Sequence, residues 1–364
     1  MKRKIFLRIG AFLVVSVMIL SMLSGCISEK KETTTTPTAT SPTAGEKYPT
    51  ATIKLGYRLT DTTILVTETD FMKKYGIQFE LVPYASGVEM RDGILAGDVV
   101  IGELGTGPVI WAMTHVTPDD LLIVGTTEQG GEKYRVVVPV DSPVKSFDDL
   151  VGKKIGIKIG SGCYTAFLRY IAAKGWTVED FDLLNVGELE AISAMEQKSV
   201  DAVIMWEPIP AVLCSKGIAR ELMNFGSGEG GQNLVKICNP VYWGVSAKWA
   251  KENPDLVSRF LAGYIELCYW VYDHPDEAAR IIYNTYVRRG VEVEAPEIYK
   301  LSIEHEHLYP WLPDYLAEDT KMVAGYLVQF GKADFVPDVK SFIDKSYLEK
   351  ASELCGIYPP EGEK

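Results

Sequence analysis

Between Lys154 and Leu168 the hydrophobic pattern changes its period in mid-stretch, and this change constrains the fold more than any other part of the chain. Ile155, Ile157 and Ile159 alternate with Gly156, Lys158 and Gly160, the two-residue period of a strand. Past Ser161 the apolar residues Cys163, Phe167, Tyr170 and Ile171 fall at i, i+4, i+7 and i+8, one face of a helix. Lys174-Gly175 supplies a cation for the last turn and a glycine for the stop. The stretch therefore predicts strand, tight Gly-Ser-Gly turn and helix, with Ser161 as N-cap. Such a turn gathers backbone N–H groups at the positive end of a helix dipole, a setting that holds an oxyanion. An ordinary strand-to-helix turn has the same sequence, so the rest of the chain must decide.

Strand and helix patterns alternate elsewhere too, which argues for α/β structure with parallel strands. Thr52–Tyr57 reads as the first strand, a helix follows to Lys74, and Ile77–Val82 is a second strand. Ligands of such sheets sit beyond the carboxyl ends of strands. That rule places Tyr57 and Arg58 at a candidate site, although a plain surface turn fits them as well. A helix over 88–96 leads to the strand Val99–Ile101, and Gly102-Glu-Leu-Gly-Thr-Gly-Pro108 leads to a helix starting near Pro108. This turn, with Glu103, Thr106 and Gly107, offers a second group of N–H donors; no Gly-Lys-Ser/Thr follows, so it is not a phosphate-cradling loop.

Tyr134–Val140 reads as a strand running between two lobes, and the segment Asp201–Pro208 echoes the first half. In each half a helix ends, an aspartate opens a strand (Asp98, Asp201), and a proline opens the next helix (Pro108, Pro208). Trp206 and Glu207 occupy the strand-to-helix turn of the echo. A buried Trp needs a partner for its N–H and a Glu is rarely buried alone, so the pair fits a cleft wall better than a core. Pro240–Ser246 looks like a return strand. Asn253-Pro254-Asp255 starts a helix, and the remaining helices to about Leu354 are expected to complete the first lobe.

The N-terminus follows different rules. Lys2, Arg3, Lys4 and Arg8 precede an apolar run, Ile9–Leu20, that is short for a membrane span, and then comes Leu23-Ser24-Gly25-Cys26. Without residues 1–25 the chain holds 33 Lys+Arg against 49 Asp+Glu, and its formal charge moves from -12 to -16. So acidic a surface argues against nucleic acid as a partner but leaves room for a small anion held by local N–H groups. The Thr/Pro tract from Thr33 to Pro42 cannot build a core and reads as a flexible tether. Five cysteines follow Cys26, at 163, 214, 238, 268 and 355; the number is odd and the spacing matches no zinc pattern, while a Cys214–Cys238 bridge stays open.

Taken in order, the Leu-Ser-Gly-Cys26 box, the Gly-Thr-Gly-Pro108 turn, Gly160-Ser-Gly-Cys-Tyr164, Trp206-Glu-Pro208 and Asn253-Pro254 resemble the solute-binding proteins of ABC importers. The group is the one that takes nitrate, taurine, aliphatic sulfonates and thiamine-precursor pyrimidines, and the resemblance covers about residues 51–345. It implies a two-lobe periplasmic-binding-protein fold, type II-like, joined by two crossing strands, with a ligand between the lobes. The expected division is a lipoprotein signal peptide over 1–25, a lipidated Cys26 and tether over 26–50, a first lobe of 51–138 plus 242–364, and a second lobe of 139–241. The implied protein is an extracytoplasmic monomer, held to the cell membrane by lipid at Cys26, with ABC permease subunits as partners and no cofactor or metal. A membrane-anchoring helix with an incidental cysteine is the alternative for the N-terminus.

The expected ligand-binding residues are Tyr57, Arg58, Glu103, Thr106, Gly107, Ser161, Gly162, Cys163, Tyr164, Trp206 and Glu207. N–H groups and Arg58 would hold an oxyanion, Glu103 and Glu207 an ammonium group on the same ligand, and Tyr57, Tyr164 and Trp206 a ring or alkyl chain. Taurine or another aliphatic sulfonate comes first, an aromatic heterocycle such as a pyrimidine second, and nitrate or bicarbonate is a further alternative. In relatives a small residue usually follows the Gly-Ser turn, so Cys163 and Tyr164 depart from the pattern. Three other classes compete: a hydrolase using Cys163 at the helix N-terminus, a metal site at Glu304-His-Glu-His307, where i, i+2 residues face different ways on a helix, and a surface adhesin.

Overall fold

The computed structural model describes residues 47–229, 237–291 and 295–361. The signal peptide, the Cys26 box and nearly all of the tether lie outside them. Among the described residues ten strands run in chain order: β1 (Ala51–Tyr57), β2 (Ile77–Pro83), β3 (Ile101–Gly105), β4 (Leu121–Glu128), β5 (Tyr134–Pro139), β6 (Lys154–Ile157), β7 (Asp182–Asn185), β8 (Ala202–Trp206), β9 (Ala219–Asn224) and β10 (Val241–Ser246). They form two five-stranded sheets, ordered β2-β1-β3-β10-β4 and β7-β6-β8-β5-β9. In the first, β1 pairs parallel with β2 and β3, while β10 is antiparallel to β3 and β4. In the second, β6 pairs parallel with β7 and β8, while β5 is antiparallel to β8 and β9. Each sheet thus repeats one plan. β3 and β8 hold the same middle place, so the echo between the two halves of the sequence is a structural equivalence.

The strands sit where their side chains can be covered. Ala51, Ile53 and Leu55 of β1 are buried while Thr52 and Lys54 face solvent. β4, β5 and β8 are buried throughout, and each carries an apolar run, Leu121–Val124, Val136–Val138 and Ala202–Trp206. Two cores result. Trp243 anchors the first, edge-on to Phe260 at 4.9 Å and to Tyr264 at 5.3 Å. Phe147, Phe167 and Phe181 gather in the second.

The central stretch folds as its period predicts. Gly160 takes the left-handed turn conformation (φ +82°), Ser161 Oγ accepts from the Tyr164 amide at 3.3 Å, and the helix Gly162–Lys174 ends on Gly175 in the same left-handed region. Its burial exceeds the one expected stripe: every residue from Gly162 to Ile171 is buried. The cause is the packing of two further helices against it, Thr106–His115 and Asp314–Gln329, in addition to its own sheet. Two other expectations change. The helix after β3 starts at Thr106, two residues before Pro108. Tyr134–Pro139 lies wholly within the second sheet, so the chain changes sheets over 129–133, before that strand rather than inside it, and is back in the first sheet at β10.

The C-terminal helices also divide. The helix Ser346–Cys355 packs on Pro254–Asp273 in the first lobe. Asp314–Gln329, expected in the first lobe with them, instead sends Val323, Ala324 and Leu327 into the second core and pairs Asp319 with Arg169 at 2.8 Å. Cys163, Cys214, Cys238, Cys268 and Cys355 are all free thiols, so the Cys214–Cys238 bridge does not form.

Candidate functional site

The carboxyl ends of β1, β3, β6 and β8 meet between the sheets. There Arg58, Glu128 and Val241 face Tyr134, Ser161, Gly162 and Trp206 across a cavity of about 30 Å³, the share of one water in the liquid. The lobes are therefore nearly shut on one another. A Cβ added at Gly107 would stand 2.3 Å from the Gly160 carbonyl oxygen of the opposite lobe, so the two predicted N–H turns touch across a glycine. Larger cavities exist, of about 240 Å³ beside Trp311 and Leu348 and about 460 Å³ beside Tyr75 and Glu266. Both are lined by the first lobe and its C-terminal helices, and neither gathers charge from both sheets.

Charge fills the cleft. Arg58 reaches Glu103 at 3.2 Å in its own lobe and Glu188 at 3.7 Å in the other. Burial works against its charge, yet Glu103 and Glu188 leave the guanidinium held more firmly protonated than usual. Thr60 Oγ1 donates to Glu103 Oε2 at 2.8 Å, and Trp206 Nε1 donates to Glu188 Oε1 at 3.0 Å. The guanidinium lies 5.8 Å from the centre of the Trp206 ring, within cation–π range. Beside it Glu128 pairs with Lys133 at 3.0 Å, and Lys133 is fully buried over the Tyr134 ring. Burial raises the carboxyl pKa of Glu188 despite Arg58, and of Glu128 despite Lys133. Behind them Asp61, bonded by Ser302, and Glu306 are pushed further up by burial and by neighbouring carboxylates.

Of the expected site residues, Arg58, Ser161, Gly162 and Trp206 line this cavity, and Glu103 stands directly behind Arg58. The others are engaged elsewhere. Thr106 Oγ1 donates to the Pro240 carbonyl at 2.8 Å. Gly107 and Tyr164 border a different cavity, with Trp111 and Leu327. The Tyr57 ring lies under Arg289. Cys163 is sealed in the second core, 3.0 Å from Ser161 Oγ and 3.6 Å from the Ile204 carbonyl, and burial lifts its thiol to about 12. At neutral pH it is no thiolate, which removes the chemistry a hydrolase would need from it. Glu207 already has its partners: the Arg135 guanidinium at 2.7 Å, the His305 ring at 3.1 Å and the Ala211 amide at 3.2 Å. It ties the second sheet to the helix Glu297–Glu306 and does not face the cavity. The Glu304–His307 motif is likewise dispersed, since His305 joins Glu207, Glu306 is buried, and His307 points to Glu132.

Sequence reading missed Glu128, Lys133, Tyr134 and Glu188. Glu128 ends a strand whose eight residues are all buried, and a charged residue closing such a run was the available signal. Glu188 opens the helix Glu188–Glu196 like any acidic first-turn residue, and nothing local distinguishes it.

Two α/β lobes of matching topology, shut on a charged cleft at their strand ends, define a two-lobe binding-protein fold. A family model described as NMT1/THI5 like matches residues 62–278, more than half of the chain, and the protein belongs to the NMT1/THI5-like family. A protein of Bacillus subtilis (strain 168) named as a putative aliphatic sulfonates-binding protein is 24% identical over 346 residues, 94% of this chain and 96% of that one. The alkanesulfonate-binding protein SsuA from Xanthomonas axonopodis pv. citri, solved bound to MOPS, superposes with a TM-score of 0.69 at 17% identity, covering 81% of this chain and 98% of that one. The desulfurization enzyme DszB shares the fold as well, with a TM-score of 0.59 at 15% identity over 83% of this chain and 99% of that one.

Proposed function

We propose that this protein is the extracytoplasmic solute-binding component of an ABC importer and captures a small organosulfonate between its lobes. One observation carries the reading: Arg58 from the first lobe and the helix start at Ser161–Gly162 from the second converge on a single cavity. Either alone is too weak. Micromolar affinity requires about 8 kcal/mol, whereas a helix terminus gives at most about 2 and each charge-assisted hydrogen bond about 1.5–3. Donors from both lobes must add up, so binding and closure belong together. A sulfonate presents three acceptor oxygens to such donors. The names of the Bacillus and Xanthomonas relatives support that ligand class. The Leu-Ser-Gly-Cys26 box supports a lipid anchor at Cys26 that holds the protein at the outer face of the cell membrane. The buried, protonated state of Cys163 supports binding rather than catalysis.

Calorimetry with methanesulfonate, ethanesulfonate, nitrate, bicarbonate and a thiamine-precursor pyrimidine tests the assignment. Sulfonate binding that Arg58→Gln weakens by a factor of about ten or more is expected. Binding of nitrate, bicarbonate or the pyrimidine, with no sulfonate bound, would overturn it.

A further inference from the structure

The Glu304-His-Glu-His307 stretch holds two of the chain's four histidines, and each faces a carboxylate outside its own helix. The helix Glu297–Glu306 belongs to the first lobe: Tyr299 and Ile303 lie in the first core, and Ser302 donates to Asp61. Its His305 ring reaches across to Glu207, which stands in the second lobe just ahead of Ile209 of the second core. There Glu207 and Glu221 share one guanidinium, that of Arg135, at 2.7 and 2.6 Å. Two carboxylates on one guanidinium leave this cluster of described residues a cation short. A protonated His305, 3.1 Å from Glu207 Oε1, supplies it. Neutral His305 can keep a hydrogen bond there but brings no charge. His307 ends the same helix in the left-handed conformation (φ +46°), and its carbonyl accepts from the Gln129 amide at 3.3 Å. Its Nε2 lies 3.9 Å from Glu132, in the segment where the chain leaves the first sheet.

The other charges near this turn point elsewhere or are screened. Asp61, from the helix Asp61–Glu68, faces Ser302, and Asp276, from the helix Pro275–Arg288, takes Lys300 at 2.8 Å. Glu306 is buried and its carboxyl is raised by that burial, while Glu304 is exposed to water. Both rings keep contact with solvent, with 22% and 50% of their side chains exposed, so protons reach them. Histidine is the side chain whose charge ordinarily changes between about pH 5 and 8.

We propose that His305 and His307 form an acid-closed clasp on the seam between the lobes. Protonated, they draw the first lobe onto Glu207 of the second and onto Glu132 of the connecting segment; neutral, they pull less. The sign follows from the geometry. The His305–Glu207 pair exists only with the lobes shut, so closure favours the protonated ring and acid favours closure. The effect is full below the histidine range and is lost as pH rises through it. A ligand held between the lobes is then retained more firmly in acidic medium. That consequence rests on the binding reading above, whereas the clasp itself does not, and its test uses no ligand.

Small-angle scattering of the mature protein compares the wild type with a variant carrying both His305→Gln and His307→Gln, whose side chains stay neutral at every pH. At about pH 5.5 the wild type is expected to show the smaller radius of gyration, with a closed-to-open ratio about fivefold higher, the combined size of two partly exposed ion pairs. At about pH 8 the two proteins should match. The buried carboxylates titrate in both proteins and cancel from the comparison. Equal radii at the acidic value overturn the clasp. So does a difference of the same size at both values, which would mark a purely structural role. Should the double variant fail to fold, titration of the histidine rings by NMR takes its place. The His305 ring is expected to release its proton at a lower pH in Gly107→Ala, whose lobes cannot shut, than in the wild type, and identical midpoints overturn the proposal.

Discussion

The Arg58 guanidinium lies 3.7 Å from the Glu188 carboxylate, and the two belong to opposite lobes. Both side chains are largely shielded from water, so salt screens the pair less than it screens a surface bridge. Glu188→Gln is expected to weaken closure by about 1 kcal/mol, the upper end of what an exposed ion pair contributes. Small-angle scattering should record a larger radius of gyration than the wild type gives. An unchanged radius would show that the contact does not hold the lobes together.

Gly107 is expected to be the position where the smallest change blocks closure. An alanine methyl there would meet the Gly160 carbonyl at 2.3 Å, well inside van der Waals contact. Gly107→Ala should leave the melting temperature of each lobe nearly unchanged and lower ligand affinity by a factor of about ten or more. Normal affinity would mean that the glycine contact is absent from the bound state.

Stability should fall as pH rises through the mildly acidic range. The pKa values of Asp61, Glu128, Glu188 and Glu306 are raised in the folded protein, with burial the largest cause. Above the ordinary carboxyl range the folded state then holds protons that the unfolded chain has lost. Their contribution is full below the unfolded values and is lost as pH climbs through the folded ones. Melting temperatures measured from pH 4.5 to 8 should decline towards the upper end, and Glu306→Gln should flatten the decline. A rise with pH would refute this account.

Glu207→Ala is expected to act on stability rather than on ligand choice. It would take one of two carboxylates from the Arg135 guanidinium, which is 4% exposed and keeps Glu221 at 2.6 Å, at a cost of about 1.5–3 kcal/mol. Denaturant unfolding reads the loss, and whatever folded fraction remains should keep the wild-type order of preference among ligands.

Cys163 is expected to resist iodoacetamide in the native protein and to react only after denaturation, because it is sealed in the core with its thiol raised to about 12. Mass spectrometry of the labelled peptide decides.

Local patterns carried the elements well. The strand-turn-helix around Ser161, the middle strands β3 and β8, and the cleft positions of Arg58, Ser161, Gly162 and Trp206 were all legible, because period, caps and turn residues act over a few neighbours. Partnership between lobes was not. Glu207 and Glu188 are both acidic residues near the start of a helix, and only the fold reveals that one meets Arg135 and His305 while the other meets Arg58. The place of Asp314–Gln329 was hidden for the same reason: its amphipathic stripe shows that it packs, and says nothing of which core it enters.

That helix changes the kinematics of the molecule. The two connecting segments run side by side, with Gly131 against Phe225 and Gly226, and a pair of adjacent ribbons alone would let one lobe both swing and twist on the other. Asp319 adds a fixed point next to them by accepting from the Asn239 amide at 2.9 Å, while Ala317 of the same helix sits in the first core and Leu327, about 15 Å farther along, in the second. A rod pinned at both ends beside a double strap suppresses the twist and leaves a single rotation, so the jaw has one track along which to open.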